Sequence, residues 1–258
     1  RDDAEHASLR RAVETHRARG LEAELVLGAR LRELEPELAP SARAAAYFPR
    51  EAQVDPPQLL RALVAAVART RVTVRSGTTV SSLVTEAGRC TGVSLEGRDV
   101  LAADAVVLAA GSWSSLVPGV PESLPRVQPV RGQIVQLEER PPRLRTIVFA
   151  GHAYVVPRGD GRVLCGATTE HVGHRREVTA GGVVGILQDA LAIAPGLASA
   201  ELGRAWCNFR PHVKDGGRPL VGASPLPGLF LATGHYRNGI LLSKATADAV
   251  ADAVLGQG

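Results

Sequence analysis

The chain has 258 residues, of which 45% are hydrophobic, and its 30 basic and 26 acidic side chains give a formal net charge of +4. This length can bury a sizeable core, as one large domain or two closely joined ones. The sequence has neither the long apolar run that predicts a transmembrane helix nor an opening apolar segment that predicts a signal peptide.

The charge pattern does not indicate nucleic-acid binding. Lysine occurs only at Lys214 and Lys244, and the arginines are interleaved with Asp and Glu. Aromatic residues make up 3% of the chain, so there is no basic stripe with stacking platforms. Cys90, Cys165 and Cys207 are odd in number and widely spaced, which predicts no disulfide framework and no metal site. A reducing, cytoplasmic location fits this pattern.

The first elements are helices and short strands. Helices are expected at Asp2–Arg19 and Arg30–Glu35, a strand at Leu25–Leu27, and irregular structure over Ala39–Asp55. A helix then begins at Pro56, with Asp55 as its N-cap. Its apolar positions recur at helical spacing and are predicted to be its buried side: Leu59, Leu60, Leu63, Val64 and Val67.

The next stretch predicts strands. After a strand at Val72–Arg75, a three-stranded meander is expected at Thr79–Val84, Cys90–Leu95 and Asp99–Ala102. A buried strand at Ala105–Ala109 follows and ends at Ala110-Gly111-Ser112, where the backbone can approach a ligand closely.

The middle of the chain is typical of an antiparallel sheet. Strands are expected at Gln128–Leu137, Arg145–Phe149, Ala153–Pro157 and Val163–Gly166, with Gly159-Asp160-Gly161 as a hairpin turn. A helix at Thr179–Leu191 and a strand at Glu201–Phe209 complete this region. That strand leads to Arg210, which we expect at the strand end.

The C-terminal segment predicts a buried strand at Leu229–Ala232, a glycine-bounded turn and a helix from about Ile240. Gly234 and Gly239 permit positive φ and close approach of the backbone. Gly256 stands where a C′ residue belongs. The helix N-terminus presents roughly half a positive charge to whatever lies above the turn. Strand–turn–helix units occur in any α/β protein, so this pattern alone leaves a plain structural role open.

This segment nevertheless resembles the C-terminal flavin-contacting segment of bacterial glycine oxidases, which are FAD enzymes of the D-amino acid oxidase and sarcosine oxidase group. The resembling residues run from Thr233-Gly234-His235-Tyr236-Arg237 through Asn238-Gly239-Ile240-Leu241-Leu242. Further motifs agree with the family in order along the chain: Val106–Ser114, Pro129–Gln133, Tyr154–Arg158, Trp206–Pro211 and Asp215-Gly216.

The resemblance implies FAD as the cofactor. A flavin ring gains negative charge when it is reduced, and a helix N-terminus suits it. The implied contacts are Val80, through its backbone, at the adenine end, and His235, Tyr236, Arg237, Asn238, Gly239, Ile240 and Leu241 at the flavin. Some sarcosine oxidases carry a covalent flavin on a cysteine three residues before the Arg210 position, so Cys207 is a hypothetical attachment site. A buried cysteine is more often a small apolar residue.

The resemblance also implies that Arg210 binds the substrate carboxylate and that the Tyr154 hydroxyl helps to hold it. A planar guanidinium suits this role because it fixes orientation as well as charge. Arg237 is a second carboxylate contact, or contributes only its backbone to the flavin site. Without the resemblance, Arg210 could form a structural salt bridge and Tyr154 could be an ordinary sheet tyrosine. The flavin is the oxidant, so no catalytic side chain and no metal are assigned, and neither His152 nor His235 is assigned as a base.

The implied activity is oxidative deamination of glycine or another small amino acid by O2, giving an imine or 2-oxo acid, NH3 and H2O2. In the family this step supplies the thiazole half of thiamine. The alternatives are another D-amino acid or sarcosine oxidase or dehydrogenase, and a flavin-free fragment without activity. The family is often oligomeric, so a homo-oligomer is one outcome that the resemblance allows, and the sequence itself does not indicate the oligomeric state. Nucleic-acid and membrane partners are not expected.

One motif of such flavoproteins is not found, namely a Gly-x-Gly-x-x-Gly turn after an initial strand. The chain begins at Arg1 and contains no methionine. We therefore expect a family member without its first ~80 to 90 residues, whose isolated chain binds FAD weakly or not at all because the pyrophosphate lacks its cradle.

The predicted fold class is α/β, with α+β character. It combines an incomplete FAD-binding Rossmann-like domain with an antiparallel-sheet substrate domain. The expected domains are residues 1–115, part of the FAD-binding domain with intervening helices and the meander, and residues 116–214, the substrate domain. Residues 215–258 then return to the FAD-binding domain and form the C-terminal helix.

Overall fold

The computed structural model describes residues 3–97 and 99–256. The helices in this part of the chain are α1 (Asp3–Ala18), α2 (Gly28–Leu34), α3 (Pro56–Val67), α4 (Ala180–Ile193) and α5 (Ser243–Leu255). The strands are β1 (Glu24–Leu27), β2 (Ala44–Tyr47), β3 (Val80–Glu86), β4 (Arg89–Leu95), β5 (Val100–Ala102), β6 (Val106–Leu108), β7 (Val127–Glu138), β8 (Val148–Ala150), β9 (Ala153–Pro157), β10 (Arg162–Gly166), β11 (Glu201–Val213), β12 (Leu220–Ala223) and β13 (Leu229–Thr233). The predicted mixed α/β class is confirmed. Asp2, expected in the first helix, lies outside the described residues.

The chain divides into two compact units. Unit 1 comprises Arg1–Val54, Gly132–Thr169 and Arg176–Asn208, and unit 2 comprises Asp55–Arg131, Glu170–Arg175 and Phe209–Gly258. The predicted domain boundaries at residues 115 and 215 differ from this division mainly in the first 54 residues, which cluster with the antiparallel sheet.

Unit 1 is built on a sheet of order β11-β7-β10-β9-β8. One face of the sheet packs against α4, and its buried core includes Val135, Val155 and Cys165 from the strands and Ile186 and Ala190 from the helix. Strand alternation explains this arrangement, because successive side chains point to opposite faces. Tyr154 is therefore on the other face.

The N-terminal part of unit 1 is attached to the sheet region through a buried carboxylate. Glu35 is 2% exposed, and its Oε2 accepts hydrogen bonds from the amides of Arg145 (2.7 Å) and Thr146 (2.8 Å). β1 pairs antiparallel with β2. The expectation of irregular structure throughout Ala39–Asp55 is thus wrong, because pairing with β1 makes the alanine-rich segment of β2 a strand.

Unit 2 contains a sheet of order β12-β13-β6 and the meander β3-β4-β5. β13 runs parallel to β6, with Leu229 opposite Val106 and Leu231 opposite Leu108. Cys90 of the meander is fully buried, and its amide donates to the carbonyl of Pro227 at 2.8 Å. The meander is therefore joined to the chain just before β13.

The predicted start of α3 is confirmed, but its predicted buried face is wrong. Asp55 caps the helix by accepting the amide of Gln58 at 3.1 Å. Leu60, Leu63 and Val64 are nevertheless 63%, 53% and 59% exposed, and no described residue of α3 is buried. Helical spacing shows which side of a helix is apolar, whereas burial also needs an element that packs there.

The strand expected at Val72–Arg75 is also not formed in the described structure. Val72 and Val74 are 62% and 67% exposed, and this segment pairs with no described strand. β-propensity alone cannot make a strand without a hydrogen-bonded neighbour. Among the described helices, none combines the length and the hydropathy that crossing a membrane requires.

Candidate functional site

The turn after β13 depends on Gly234. This residue has φ +81°, and a Cβ there would lie 2.5 Å from Cγ2 of Val213. Gly239 does not have a positive φ, and Tyr236 instead takes the left-handed conformation at φ 52°. The predicted helix start at Ile240 is three residues early, because turns precede α5 at Ser243. Gly256 ends α5 in the predicted left-handed conformation.

The same turn is hydrogen-bonded to β11. The amide of Tyr236 donates to the carbonyl of Pro211 at 2.8 Å, and His212 forms an antiparallel bridge with His235. The rings of His212 and Tyr236 meet edge to face at 4.9 Å. Arg237 places its guanidinium carbon 5.5 Å from the centre of the Tyr236 ring. The strand segment that carries Arg210 is thus hydrogen-bonded to the predicted flavin-contacting turn.

Three successive amides of this turn take no part in the backbone hydrogen bonding of the described residues. Within the described residues, the N–H groups of Gly239, Ile240 and Leu241 donate to no backbone acceptor. The side chains of Ile240 and Leu241 are 47% and 81% exposed. The turn therefore has exposed apolar side chains beside backbone N–H donors, at the N-terminal end of α5.

His235 connects this turn to α5. Its Nε2 lies 2.8 Å from Oγ1 of Thr246, and burial lowers the pKa of its imidazole from the usual 6.5. It lines a cavity of about 370 Å³ together with Val107, Gly239 and Val250. The contact with Thr246 thus connects the turn to α5.

Arg210 was expected at the end of its strand. It lies within the strand instead, because β11 continues to Val213. It is partly buried, and its Nη1 donates to the carbonyl of Arg131 at 3.4 Å. Arg131 is 3% exposed and makes two contacts with Oε2 of Glu170, from Nη2 at 2.5 Å and from Nε at 3.2 Å. Its Nη1 also donates to the carbonyl of Arg175 at 3.1 Å.

The Arg131–Glu170 pair was not predicted. Its signal in the sequence was a lone arginine in the Pro129–Gln133 motif, inside the strand predicted at Gln128–Leu137. Long charged residues are seldom fully buried unless they are paired. That rule predicts a partner for Arg131, but it cannot identify Glu170, which is 39 residues away along the chain.

The rings of Trp113, His174 and Phe209 form a cluster that involves the Glu170–Arg175 segment. His174 lies 5.3 Å from the Trp113 ring and 5.5 Å from the Phe209 ring, and its Nε2 is 3.2 Å from the carbonyl oxygen of Ser112. The Glu170–Arg175 segment is thereby held at both ends, by Arg131 and by these rings. Phe209 directly precedes Arg210, so the cluster also supports the strand that carries that guanidinium.

The remaining predicted site residues lie elsewhere in the two units. Tyr154 belongs to unit 1, where its ring is 5.5 Å from that of Phe149. Val80 begins β3 in unit 2, pairs with Leu95 and is 41% exposed. Cys207 is 6% exposed and has a free thiol. Because it stands three positions before Arg210 on one strand, the two side chains point to opposite faces.

Comparison with known proteins identifies the family. The family model described as "FAD dependent oxidoreductase" matches residues 1–253. Glycine oxidase from Geobacillus kaustophilus is 38% identical over 225 residues, which are 86% of this chain and 59% of that protein. The bifunctional protein ThiO/ThiG from Nostoc sp. is 34% identical over 233 residues, 89% of this chain and 35% of that protein.

A solved structure agrees. The crystal structure of glycine oxidase from Geobacillus kaustophilus superposes with a TM-score of 0.92 at 34% identity, covering all of this chain and 69% of that one. The chain thus spans about three fifths of the length of the glycine oxidase sequence that it matches. The predicted resemblance to glycine oxidases is confirmed, and the chain belongs to the family of FAD-dependent oxidoreductases.

Proposed function

We propose that this chain is part of an enzyme that oxidises glycine with O2 and water to glyoxylate, ammonia and H2O2. The family match and the glycine oxidase relative at 38% identity support this proposal. The resemblance further implies that the reaction supplies the thiazole half of thiamine. The structural observation that carries the proposal is the His212–His235 bridge, because it joins the strand of Arg210 to the turn that resembles a flavin-contacting segment.

The residues of this turn fit the flavin end of FAD. The amides of Gly239, Ile240 and Leu241 can donate to the oxygens of a flavin ring, and the exposed Leu241 side chain offers an apolar contact. His235 through Leu241 would hold this end of the cofactor, and Val80 would contact its adenine end. The 258-residue sequence contains no Gly-x-Gly-x-x-Gly turn for the pyrophosphate. When bound, FAD supplies the oxidant for the Cα–H bond of the substrate and transfers the electrons to O2.

The substrate carboxylate is assigned to Arg210, with the Tyr154 hydroxyl and Arg237 as further contacts. A guanidinium is permanently charged and can hold both carboxylate oxygens. The hydrogen bond from Nη1 to the carbonyl of Arg131 restricts the rotation of Arg210. Since Arg131 is paired with Glu170, its positive charge is already matched within the protein.

The test measures H2O2 production by the full-length, FAD-loaded protein from glycine, sarcosine, D-alanine and D-proline. We expect activity with glycine, and Arg210→Lys should raise KM for glycine at least about tenfold, since a point charge cannot form the paired contact. Arg204→Lys is the matched control, because Arg204 is exposed on the same strand and stacks on Trp206 at 5.1 Å. It should leave KM unchanged.

Other results would redirect the assignment. Preference for another amine would replace glycine as the substrate, and reduction of an artificial acceptor without H2O2 would indicate a dehydrogenase. An unchanged KM in Arg210→Lys would remove Arg210 from the site.

We also propose a non-covalent flavin, so precipitation with trichloroacetic acid should leave a yellow supernatant. A cytoplasmic location is supported by the free thiols. Light scattering would measure the molar mass of the protein and so test for a homo-oligomer.

A further inference from the structure

A row of four residues crosses the sheet of unit 1. Ile134 of β7 is opposite Gly166 of β10, Gly166 is opposite Tyr154 of β9, and Tyr154 is opposite Phe149 of β8. Gly166 is the member of this row that has no side chain. A Cβ on Gly166 would lie 2.5 Å from Oη and 2.6 Å from Cζ of Tyr154. The phenol ring therefore occupies the space directly above this glycine.

Gly166 does not owe its place to a left-handed backbone. It is buried in β10 and its φ lies outside the left-handed region. Glycine within a strand weakens it and often marks a close approach of another group. In this sheet the approaching group is the ring of Tyr154, which covers the backbone of its cross-strand neighbour.

The ring is also limited on its other side. Phe149 lies opposite Tyr154 on β8, with ring centroids 5.5 Å apart and planes inclined by 50°. A methyl group at Gly166 would thus push the ring from one side while Phe149 restricts it on the other. The atom nearest the methyl is the phenol oxygen, which is the atom of Tyr154 farthest from the backbone. The hydroxyl would be displaced more than the strand.

We propose that Gly166 is a positioning residue that sets the place of the Tyr154 hydroxyl, and through it the affinity for the substrate carboxylate. This inference rests on the proposed carboxylate role of Tyr154. It assigns to Gly166 an effect on substrate binding and none on the chemical step.

The first test compares Gly166→Ala with Tyr154→Phe in the full-length, FAD-loaded enzyme. A hydrogen bond to a charged group is worth about a tenfold change in binding. Both variants should therefore raise KM for the preferred amino acid and the inhibition constant of acetate by about tenfold, with kcat within about twofold. Gly159→Ala is the matched control, because it lies in the hairpin joining β9 and β10 and a Cβ there meets nothing within 4 Å. Its KM should not change.

A double-mutant cycle separates positioning from a general structural effect. In a Tyr154→Ala background, Gly166→Ala should cause no further rise in KM, because the displaced ring is gone. If Gly166→Ala alone fails to fold, the Tyr154→Ala replacement should restore folding. An equal KM effect in both backgrounds, or failure of both variants to fold, would overturn the inference.

The outcomes also separate this inference from the proposed function. If glycine is not oxidised but the same pattern of KM values appears with another amine, the proposed substrate fails and the positioning role stands. If Tyr154→Phe raises KM and Gly166→Ala does not, the role of Gly166 fails and the carboxylate assignment stands. An unchanged KM in Tyr154→Phe overturns both the Tyr154 assignment and the inference drawn from it.

Discussion

His235 makes the stability of unit 2 sensitive to pH. Burial lowers its pKa from the usual 6.5, so between its folded and unfolded pKa values the native state binds fewer protons than the unfolded state. Stability from this residue is then complete above about pH 6.5 and is lost as pH falls through the folded pKa. We expect His235→Asn to show a smaller decrease in Tm than the wild-type protein between about pH 7.5 and pH 5.5.

The control for this experiment is His171→Asn, since His171 is exposed. It should retain the wild-type dependence of Tm on pH, because His235 is unchanged in this variant. The hydrogen bond between Nε2 of His235 and Thr246 makes a second comparison useful. Thr246→Val should lower Tm at every pH while leaving the slope in place. A His235→Asn curve parallel to that of the wild-type protein would contradict the assignment.

At the scale of elements, an ion pair between Arg131 and Glu170 joins β7 to the Glu170–Arg175 segment, beside two backbone hydrogen bonds between the same residues. Arg131 is 3% exposed, and removal of its carboxylate partner would leave an uncompensated buried charge. We expect Glu170→Gln to reduce the free energy of unfolding by about 3 kcal/mol, as measured in urea. The neutral double replacement Arg131→Met with Glu170→Leu should lose less, because no isolated charge remains.

An exposed ion pair supplies the contrast. Lys244 and Asp248 form an i,i+4 contact on α5 at 2.6 Å, with side chains 85% and 56% exposed. Water screens such pairs, so Asp248→Asn should change the free energy of unfolding by less than about 0.5 kcal/mol. Equal losses in Glu170→Gln and Asp248→Asn would show that burial does not set the value of the Arg131–Glu170 pair.

Short-range sequence signals allowed some helices and strands to be predicted, whereas elements that depend on a distant partner were missed or misjudged. Asp55 is the N-cap that was predicted for α3, and Thr179, the first residue of the helix predicted at Thr179–Leu191, is the N-cap of α4. The exposed apolar face of α3 could not be foreseen, because helical spacing is blind to the presence of a packing partner. β2 was missed for the converse reason, since its pairing with β1 and not its alanine content makes it a strand.

At the scale of the whole molecule, the chain order of the motifs indicated the family, whereas the compact units depended on long-range contacts. Arg1–Val54 joins the sheet unit in part through Glu35, whose amide donors at Arg145 and Thr146 are more than 100 residues away. For the site, Arg210 could be chosen from its motif, but Gly166 could not. Its significance appears only in the register that brings it opposite Tyr154.

The three cysteines give a probe of both units. Cys90 lies in unit 2, Cys165 and Cys207 lie in unit 1, and their exposed fractions are 0%, 0% and 6%. The thiolate is the reactive form, and burial raises the pKa of Cys165 to about 12. We therefore expect Ellman's reagent to modify none of the three within minutes in the native protein at about pH 8, and all three in denaturant.

The pH dependence of this reaction provides the stricter test. Raising the pH from about 8 to about 9 increases the thiolate fraction of an ordinary cysteine several-fold, because its pKa is about 8.5. If burial limits access, the native protein should show no corresponding increase for Cys165, and the three residues should react only at the rate of unfolding of their own unit. Cys165→Ser should remove one equivalent from the denatured count and none from the native one. Rapid, stoichiometric modification of Cys165 in the native protein would show that the core of unit 1 opens to solvent far more readily than its packing against α4 implies.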